Sequence, residues 1–350
     1  MDISSLPRTI ESGSFATGGH VQGIAVVPEK NYICYSFTTA LVKTDLAGNL
    51  LGTVEGLVGH LGCIDYNAED GRVWGSLEYK NDAIGQGILR ALGQGDAVTE
   101  NAFYAVSFNV DKIDRVGMDA ERDGIMTATY LPDVVEDFHA EGLGGVPHRY
   151  ACSGIDGTSF GPAFGAAPDA PRALMIAYGV YGDVTRSDND HQVILQYDWR
   201  TLAKAARPLS QGAPHHSGVC ADARYFFYTG NTTYGVQTLC YDPLAHDWLL
   251  SVYKGTKPQF PNYDLFVIDG AVKPFEGELT GLAGERGMLL TEKRTGCYFP
   301  WGTTGLHALG DGYFYISHES SEKTDVRRYA SHVHLYRRQV ENSLPFVLVE

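Results

Sequence analysis

The hydrophobic pattern of the chain consists of short apolar runs separated by turns, and one arrangement of these runs returns five times. Each repeat has a small residue, a short apolar strand, a turn, and a second strand of apolar or aromatic residues. The repeats start at HVQGIAVV (His20), HLGCID (His60), ACSGID (Ala151), HSGVCADARYFFYTGN (His216) and TTGLHALG (Thr303). Their second strands end at Ser or Gly, namely at Ser36, Ser76, Gly179, Gly230 and Ser317.

A third apolar strand follows each pair, and a fourth can be read after most of them, as in NLLGTV and GIMTATYL. Four antiparallel strands repeated five times predict an all-β fold, a five-bladed β-propeller that forms a single domain over residues 1–350. A sixth blade at 254–302 is the alternative. Because that stretch lacks the signature of the repeats, the pattern favours a long insertion there. Further long connections are expected at about 79–100 and 132–149, the latter with a short helix in DVVEDFHAE.

Composition supports a β-rich globular protein and excludes several classes of partner. The chain has 41 glycines, 21 tyrosines and 15 phenylalanines, which suit pleated strands joined by tight turns. Its net charge of −15 argues against nucleic acid and anionic membrane surfaces as partners. No run reaches the roughly 20 apolar residues of a membrane span, and the start MDISSLPRTIESGSF lacks a signal-peptide pattern. These features predict a cytoplasmic protein; its oligomeric state is left open.

Propeller geometry brings distant repeats together at one end of a central channel. Inner strands leave this upper face and second strands return to it, so residues before the first and after the second strand meet there. Histidines 20, 60 and 216 precede inner strands, and Glu78 and Glu319 follow second strands. Imidazole and carboxylate groups bind divalent cations, so His20, His60, His216, Glu78 and Glu319 are the predicted metal ligands, with Mn, Ca, Mg or Zn as the cofactor. The alternative is that the histidines cap strand carbonyls and hold channel water.

Other side chains at this face are candidates for proton transfer and substrate binding. Tyr79 and Lys80 follow Glu78 directly, and His318 precedes Glu319. His215 is next to His216 but out of register with it, and could serve as a base or lie in a solvent-facing loop. The long loops supply the candidate substrate-binding residues, which are Tyr181, Arg186, Tyr234 and Trp301.

The start of a repeat as His, Gly and a β-branched residue, with an aromatic strand behind it, resembles the propeller enzymes of the streptogramin lyase, gluconolactonase and strictosidine synthase type. The resemblance covers the repeat cores, about half of the chain. It implies a divalent cation or polar substrate-binding residues at the upper mouth, and eliminations or lactone hydrolyses as reactions. The predicted blade number and long insertions depart from that type.

The sequence therefore predicts a metal-dependent hydrolase or lyase. Its small-molecule substrate would be rich in oxygen, such as a sugar derivative or a lactone, and would bind in the channel mouth. The alternative is a non-catalytic propeller that binds a glycan or another ligand with the same face. The polar residues differ from blade to blade, which favours one central site over five equivalent ones.

Overall fold

A computed structural model describes residues 3–16, 18–95, 100–141, 152–323, 325–340 and 345–350 of the chain. Within these residues the strands form five sheets, each built on four antiparallel strands with the innermost at the centre of the molecule. The first strand of the chain, β1 (Thr9–Phe15), belongs to the last of these sheets. The chain then winds through five blades in order, so that each sheet is one repeat.

The first two blades follow the sequence pattern closely. The strands of the first blade are β2 (Val21–Val27), β3 (Tyr32–Phe37), β4 (Ala40–Asp45) and β5 (Leu50–Glu55), with β9 (Met118–Asp119) paired parallel to β5 at its edge. The strands of the second blade are β6 (His60–Asn67), β7 (Arg72–Tyr79), β8 (Ala102–Phe108) and β10 (Met126–Tyr130). The short helix α1 (Ala83–Ala91) lies in the connection between β7 and β8.

The third and fourth blades share a long stretch of chain. The third blade has β11 (Gly157–Pro162), β12 (Arg172–Gly179), β13 (His191–Tyr197) and β14 (Ala223–Tyr228). The hairpin of β18 (Phe275–Glu278) and β19 (Arg286–Leu289) extends its outer edge, because β19 pairs parallel with β14. The fourth blade has β15 (Thr232–Asp242), β16 (Asp247–Lys254), β17 (Leu265–Asp269) and β20 (Glu292–Cys297).

The fifth blade joins the two ends of the chain. It has β21 (Leu306–Gly310), β22 (Tyr313–Lys323) and β23 (Arg327–Arg338), with β24 (Phe346–Leu348) on part of β23. The N-terminal β1 supplies its outer strand, with Thr9 opposite His334. Each inner strand contacts the next around the axis, and β21 contacts β2. The ring is therefore closed, and the predicted five-bladed β-propeller is confirmed, whereas the alternative of a sixth blade is wrong.

The inner strands approach each other closely at Gly23 and Gly62, which come shortly after His20 and His60. A Cβ atom on Gly23 would lie 2.9 Å from the Cα atom of Cys63 on the next inner strand. A Cβ atom on Gly62 would lie 2.4 Å from the Ser76 Oγ atom and 2.8 Å from the Cα atom of Asp156. The absence of a side chain at these positions lets neighbouring blades pack tightly around the channel.

The sequence pattern misplaces the fourth blade by two strands. The aromatic run YFFY was expected to be the second strand of that blade, but it lies in β14, the fourth strand of the third blade. The inner strand of the fourth blade is β15, which starts 16 residues after His216. The error arises because 25 residues, including helix α3 (Trp199–Ala205), separate β13 from β14, so β14 seems to open a new repeat.

The connections also differ from expectation at 254–302. This stretch was expected to be an insertion, but it contributes β17 and β20 to the fourth blade and β18 and β19 to the third. The helix expected in DVVEDFHAE is present as α2 (Pro132–His139), and the end of the expected 132–149 connection lies outside the described residues. Among the described helices, none is long and apolar enough to cross a membrane.

Candidate functional site

Inner-strand starts from different blades converge at the upper end of the channel. His20 directly precedes β2, His60 opens β6, Asp156 directly precedes β11, and Gln237 lies in β15. Glu78 lies opposite His60 in the register between β6 and β7. A cavity of about 270 Å³ opens there. Its lining comprises His20, Gln22, His60, Glu78, Lys80, Ile84, Ser153, Asp156, Tyr234, Gln237 and Tyr253.

A compact cluster of two cationic and two acidic side chains forms one wall of this cavity. The Lys80 Nζ atom lies 2.8 Å from the Glu78 Oε1 atom and donates to the Ser153 carbonyl at 2.6 Å. The His60 Nδ1 atom lies 3.5 Å from Glu78 Oε1 and 3.2 Å from Asp156 Oδ1. The remaining Glu78 oxygen accepts a hydrogen bond from the backbone N–H of Ile155 at 2.9 Å. The side chains of Glu78 and Lys80 are only 2% and 1% exposed, so these attractions act with little solvent screening.

The cluster shifts the protonation of its members strongly. Burial alone would lower the pKa of His60, but the carboxylates of Asp156 and Glu78 outweigh it and raise that pKa to about 9. Burial would raise the pKa of Glu78, but Lys80 and His60 lower it to about 2. The Glu78 carboxylate in turn holds the pKa of Lys80 above its usual range against the opposing effect of burial. At neutral pH His60 is therefore an imidazolium and Glu78 a carboxylate.

His20 faces the cluster in the opposite protonation state. Its ring centroid lies 6.5 Å from that of His60. Partial burial in the mouth lowers the pKa of His20 to about 4, and the positive charge of His60 acts in the same direction. The Nε2 atom of His20 lies 3.0 Å from the side-chain amide nitrogen of Gln22, which also donates to Thr38. One cavity thus contains a neutral and a protonated imidazole at neutral pH.

The rest of the cavity lining offers groups that can bind a polar molecule. The Gln237 amide donates to Asp156 Oδ2 at 3.3 Å. The buried Oδ1 atom of Asp156 faces the His60 ring at 3.2 Å, and as a carboxylate oxygen it has lone-pair capacity for a further hydrogen bond. Tyr234 is 44% exposed at the rim, whereas burial raises the pKa of Tyr253 and keeps its hydroxyl protonated. The lining can therefore accept and donate hydrogen bonds to a small oxygen-rich ligand.

Several predicted site residues come together here. His20, His60, Glu78, Lys80 and Tyr234 all line the cavity. Glu319 lies behind His20, where it accepts from the Val21 N–H at 2.6 Å and lies 3.7 Å from the His20 ring. The Tyr181 hydroxyl donates to Asp82, whose carboxylate also lies 3.7 Å from the Lys80 Nζ atom. Tyr181 therefore supports the wall of the site from outside the cavity.

The adjacent histidines 215 and 216 lie beside the second blade and do not line the cavity, so the expected position of His216 before an inner strand is corrected. His216 is 56% exposed, pairs with Glu100 at 2.8 Å and packs on Tyr130 in the outermost strand of the second blade. His215 packs on Tyr104 and accepts from the N–H of Ser217. The cause is the shift of the fourth blade by two strands: the segment before β14 lies beside the second blade, where Gly218 pairs with Tyr130.

Four other predicted residues also lie outside the cavity. Tyr79 is buried with its side chain on the opposite face of β7 from Glu78, and its hydroxyl donates to Gln211 at 3.0 Å. Arg186 pairs with Asp188 at 2.7 Å within its own loop. His318 stacks on Trp301 with ring centroids 3.9 Å apart, and its Nε2 atom lies 3.0 Å from the Tyr336 hydroxyl.

The sequence-based prediction missed Asp156 and Gln237. Asp156 precedes β11 as His20 precedes β2, but the third repeat was expected to start at Ala151, five residues before Asp156. Gln237 was missed because β15 was taken for the third strand of its blade. In both cases the residue type was informative, whereas the strand assignment was wrong.

The donors around the mouth do not fit a divalent metal ion. Both oxygens of Glu78 are already engaged, by Lys80 and by the Ile155 N–H. His216 is elsewhere, and Glu319 is bound to the backbone of Val21. Across the described residues, no group of three or more His, Cys, Asp or Glu side chains is arranged to hold a metal ion. The positive charge near the carboxylates comes from Lys80 and His60 instead.

The fold and the channel mouth define a five-bladed β-propeller with one central polar site. No protein-family model matches the chain, and no curated protein matches it. Among solved structures, the chain is similar to the PQQ domain of pyranose dehydrogenase from Coprinopsis cinerea, with a TM-score of 0.40 and 11% identity over 88% of this chain and 81% of that one.

A GH43 β-1,3-galactosidase with galactodeoxynojirimycin gives a TM-score of 0.42 and 10% identity over 95% of this chain and 93% of that one. The Dos1 propeller gives a TM-score of 0.31 and 10% identity over 89% and 78% of the two chains. At these values the comparisons carry no information about the reaction, and no match supports the particular enzyme types that the repeats resemble.

Proposed function

We propose that the protein is a hydrolase that opens a small lactone or ester in the upper channel mouth by acid–base catalysis with His20 and His60. The observation that carries the proposal is that two imidazoles and two carboxylates from three blades line one cavity of about 270 Å³. A pair of titratable groups whose surroundings push their pKa values apart is the arrangement that acid–base catalysis requires. The opposite shifts at His20 and His60 support this division of roles.

In the proposed reaction His20 acts as the base and the His60 imidazolium as the acid. His20 accepts a proton from water as the water oxygen bonds to the carbonyl carbon of the substrate. The ring C–O bond then breaks, and the His60 imidazolium donates a proton to the departing alkoxide. The product is a hydroxy acid, and transfer of the proton from His20 through solvent to His60 restores both groups.

The neighbouring side chains position these two groups. Glu78 and Asp156 hold His60 in its protonated state, and Lys80 fixes Glu78 in turn at 2.8 Å. The Gln22 amide lies 3.0 Å from the His20 Nε2 atom and orients the ring. In the proposed step the attacking water replaces Gln22 as the donor to this nitrogen, while Gln22 keeps its hydrogen bond to Thr38. Gln237 and Tyr253, on the far side of the cavity, are the proposed contacts for substrate oxygens. None of these steps passes through a metal ion, and metal dependence stays a prediction for direct measurement.

The experiment is a pH-stat assay of the purified protein with γ-butyrolactone and glucono-δ-lactone. We expect His20→Ala and His60→Gln each to lower kcat about 10²-fold to 10⁴-fold, the usual contribution of one acid or base. His216→Gln, which changes an exposed histidine outside the mouth, is the matched control and should keep wild-type activity. Turnover that survives both site substitutions would refute the acid–base roles. Saturable binding without turnover would indicate the alternative, a non-catalytic binding propeller.

A further inference from the structure

A second and larger cavity opens beside the polar one. Its volume is about 790 Å³, and it shares His20, His60 and Ile84 with the polar cavity. The two spaces therefore adjoin at the two imidazoles. A molecule whose polar part reaches these imidazoles can extend directly into the larger space, which we call the side groove.

The walls of the side groove are mainly apolar. On one side, Ile84, Ile88 and Ala91 follow one another along a single face of α1 at spacings of four and three residues. Leu89 is buried beneath the helix, and the Asp82 side chain caps its first turn. The helix is thus fixed to the propeller while this stripe stays accessible.

The opposite side of the side groove comes from the fifth blade and the N-terminal strand. Its apolar surface there includes Val326, which is 55% exposed, and the ring of Tyr329, whose centroid lies 6.3 Å from that of His20. Among the described lining residues, Arg327 and the His60 imidazolium are the charged groups. Exposed apolar surface that continues a polar catalytic pocket is typical of a ligand site.

We infer that the substrate is amphipathic: a lactone or ester head binds in the polar cavity, and an aliphatic or aromatic tail attached to it lies in the side groove. The inference rests on the proposed function for the identity of the head group. Cavity size supports it, because small-molecule sites usually span about 300–1,000 Å³. The polar cavity, at about 270 Å³, falls just below that range, and the side groove adds the missing volume.

The expected effect of the tail follows from its burial. Full burial of one methylene group corresponds to about a fourfold gain in affinity. Because the side groove is open to solvent along one side, we expect about twofold per methylene. The gain should end when the chain extends beyond the side groove. A series of γ-lactones from γ-butyrolactone through γ-octalactone to γ-dodecalactone tests this dependence.

Two exposed alanines on α1 provide a matched pair of variants. Ala91 lines the side groove, whereas Ala83 is exposed on the same helix and lines neither cavity. Ala91→Glu places a carboxylate against the tail and should abolish the dependence on chain length. Ala83→Glu adds the same charge at the start of the helix and should leave the dependence intact. Thermal unfolding of both variants confirms that each is folded.

The readouts are kcat/KM in the pH-stat and, separately, binding of each lactone by isothermal titration calorimetry. A steady rise of both with chain length in the wild type and in Ala83→Glu, absent in Ala91→Glu, supports the inference. Equal kcat/KM for all chain lengths overturns it and leaves the proposed hydrolase intact. Binding that rises with chain length without turnover supports the side groove and overturns the hydrolase. If no lactone of the series binds or is hydrolysed, both the inference about the tail and the proposed hydrolase are overturned.

Discussion

The most direct test of the site is the pH dependence of stability with and without His60. The pKa of His60 is raised from its ordinary value of 6.5 to about 9 in the folded protein. Between these values the folded chain binds more protons than the unfolded chain. The stabilisation by His60 is therefore fully present below pH 6.5 and is lost as the pH rises through 9.

The size of the effect follows from the two pKa values. His60 contributes about 3 kcal/mol at pH 6.5 and under about 1 kcal/mol at pH 8.5, a difference of about 2 kcal/mol. For a chain of 350 residues this corresponds to about 3 °C in Tm. Histidines whose pKa is lowered, such as His20 and His318, change stability below pH 6.5 and in the opposite direction. They do not mask the effect.

The assay is differential scanning calorimetry at half-unit steps from pH 6.5 to 8.5. The wild-type Tm should fall by about 3 °C beyond the change seen in His60→Gln, because glutamine carries no titrating proton. His216→Gln, an exposed histidine outside the mouth, should follow the wild-type profile. If the Tm of His60→Gln falls as steeply as that of the wild type, the carboxylates of Glu78 and Asp156 do not hold an imidazolium, and the acid role of His60 is refuted.

Three further results are expected. Metal analysis of the purified protein and thermal unfolding with Mn, Ca, Mg or Zn should show no stoichiometric ion and no stabilisation, as the donor arrangement indicates; a bound ion would restore the metal prediction. Arg338→Met should cost about 3–5 kcal/mol because it leaves the buried Asp242 without its ion-pair partner, although Asp247 keeps Lys293 at 2.6 Å, whereas the exposed Arg286→Met should cost under about 1 kcal/mol; similar urea midpoints would contradict this. Gly62→Ala should lower Tm and turnover because its Cβ atom would lie 2.4 Å from Ser76 Oγ, while Gly212→Ala, with no neighbour within 4 Å among the described residues, should change neither.

The local part of the fold could be predicted from the sequence, and the assignment of strands to distant blades could not. His60 and Glu78 face each other across β6 and β7, a pairing set by a hairpin that is continuous in the chain. By contrast, β14 and β15 are adjacent in sequence but belong to different blades. An apolar strand has the same pattern in either place, so long-range pairing alone decides its blade. The expected placement of His215 and His216 at the channel mouth is corrected for this reason.

The residue types at the channel mouth were a poor guide to its chemistry, whereas the spacing of Glu78 and Lys80 was a usable signal. Histidine and glutamate suggested a metal because both residue types bind cations. Glu78 and Lys80 are, however, two residues apart at the end of one strand, and side chains at that spacing share a face. The chain therefore places its own ammonium group beside the carboxylate, 2.8 Å away, where a metal would otherwise bind. A lysine two positions from an acidic residue at a channel mouth thus argues for an ion-paired acid–base site over a metal centre.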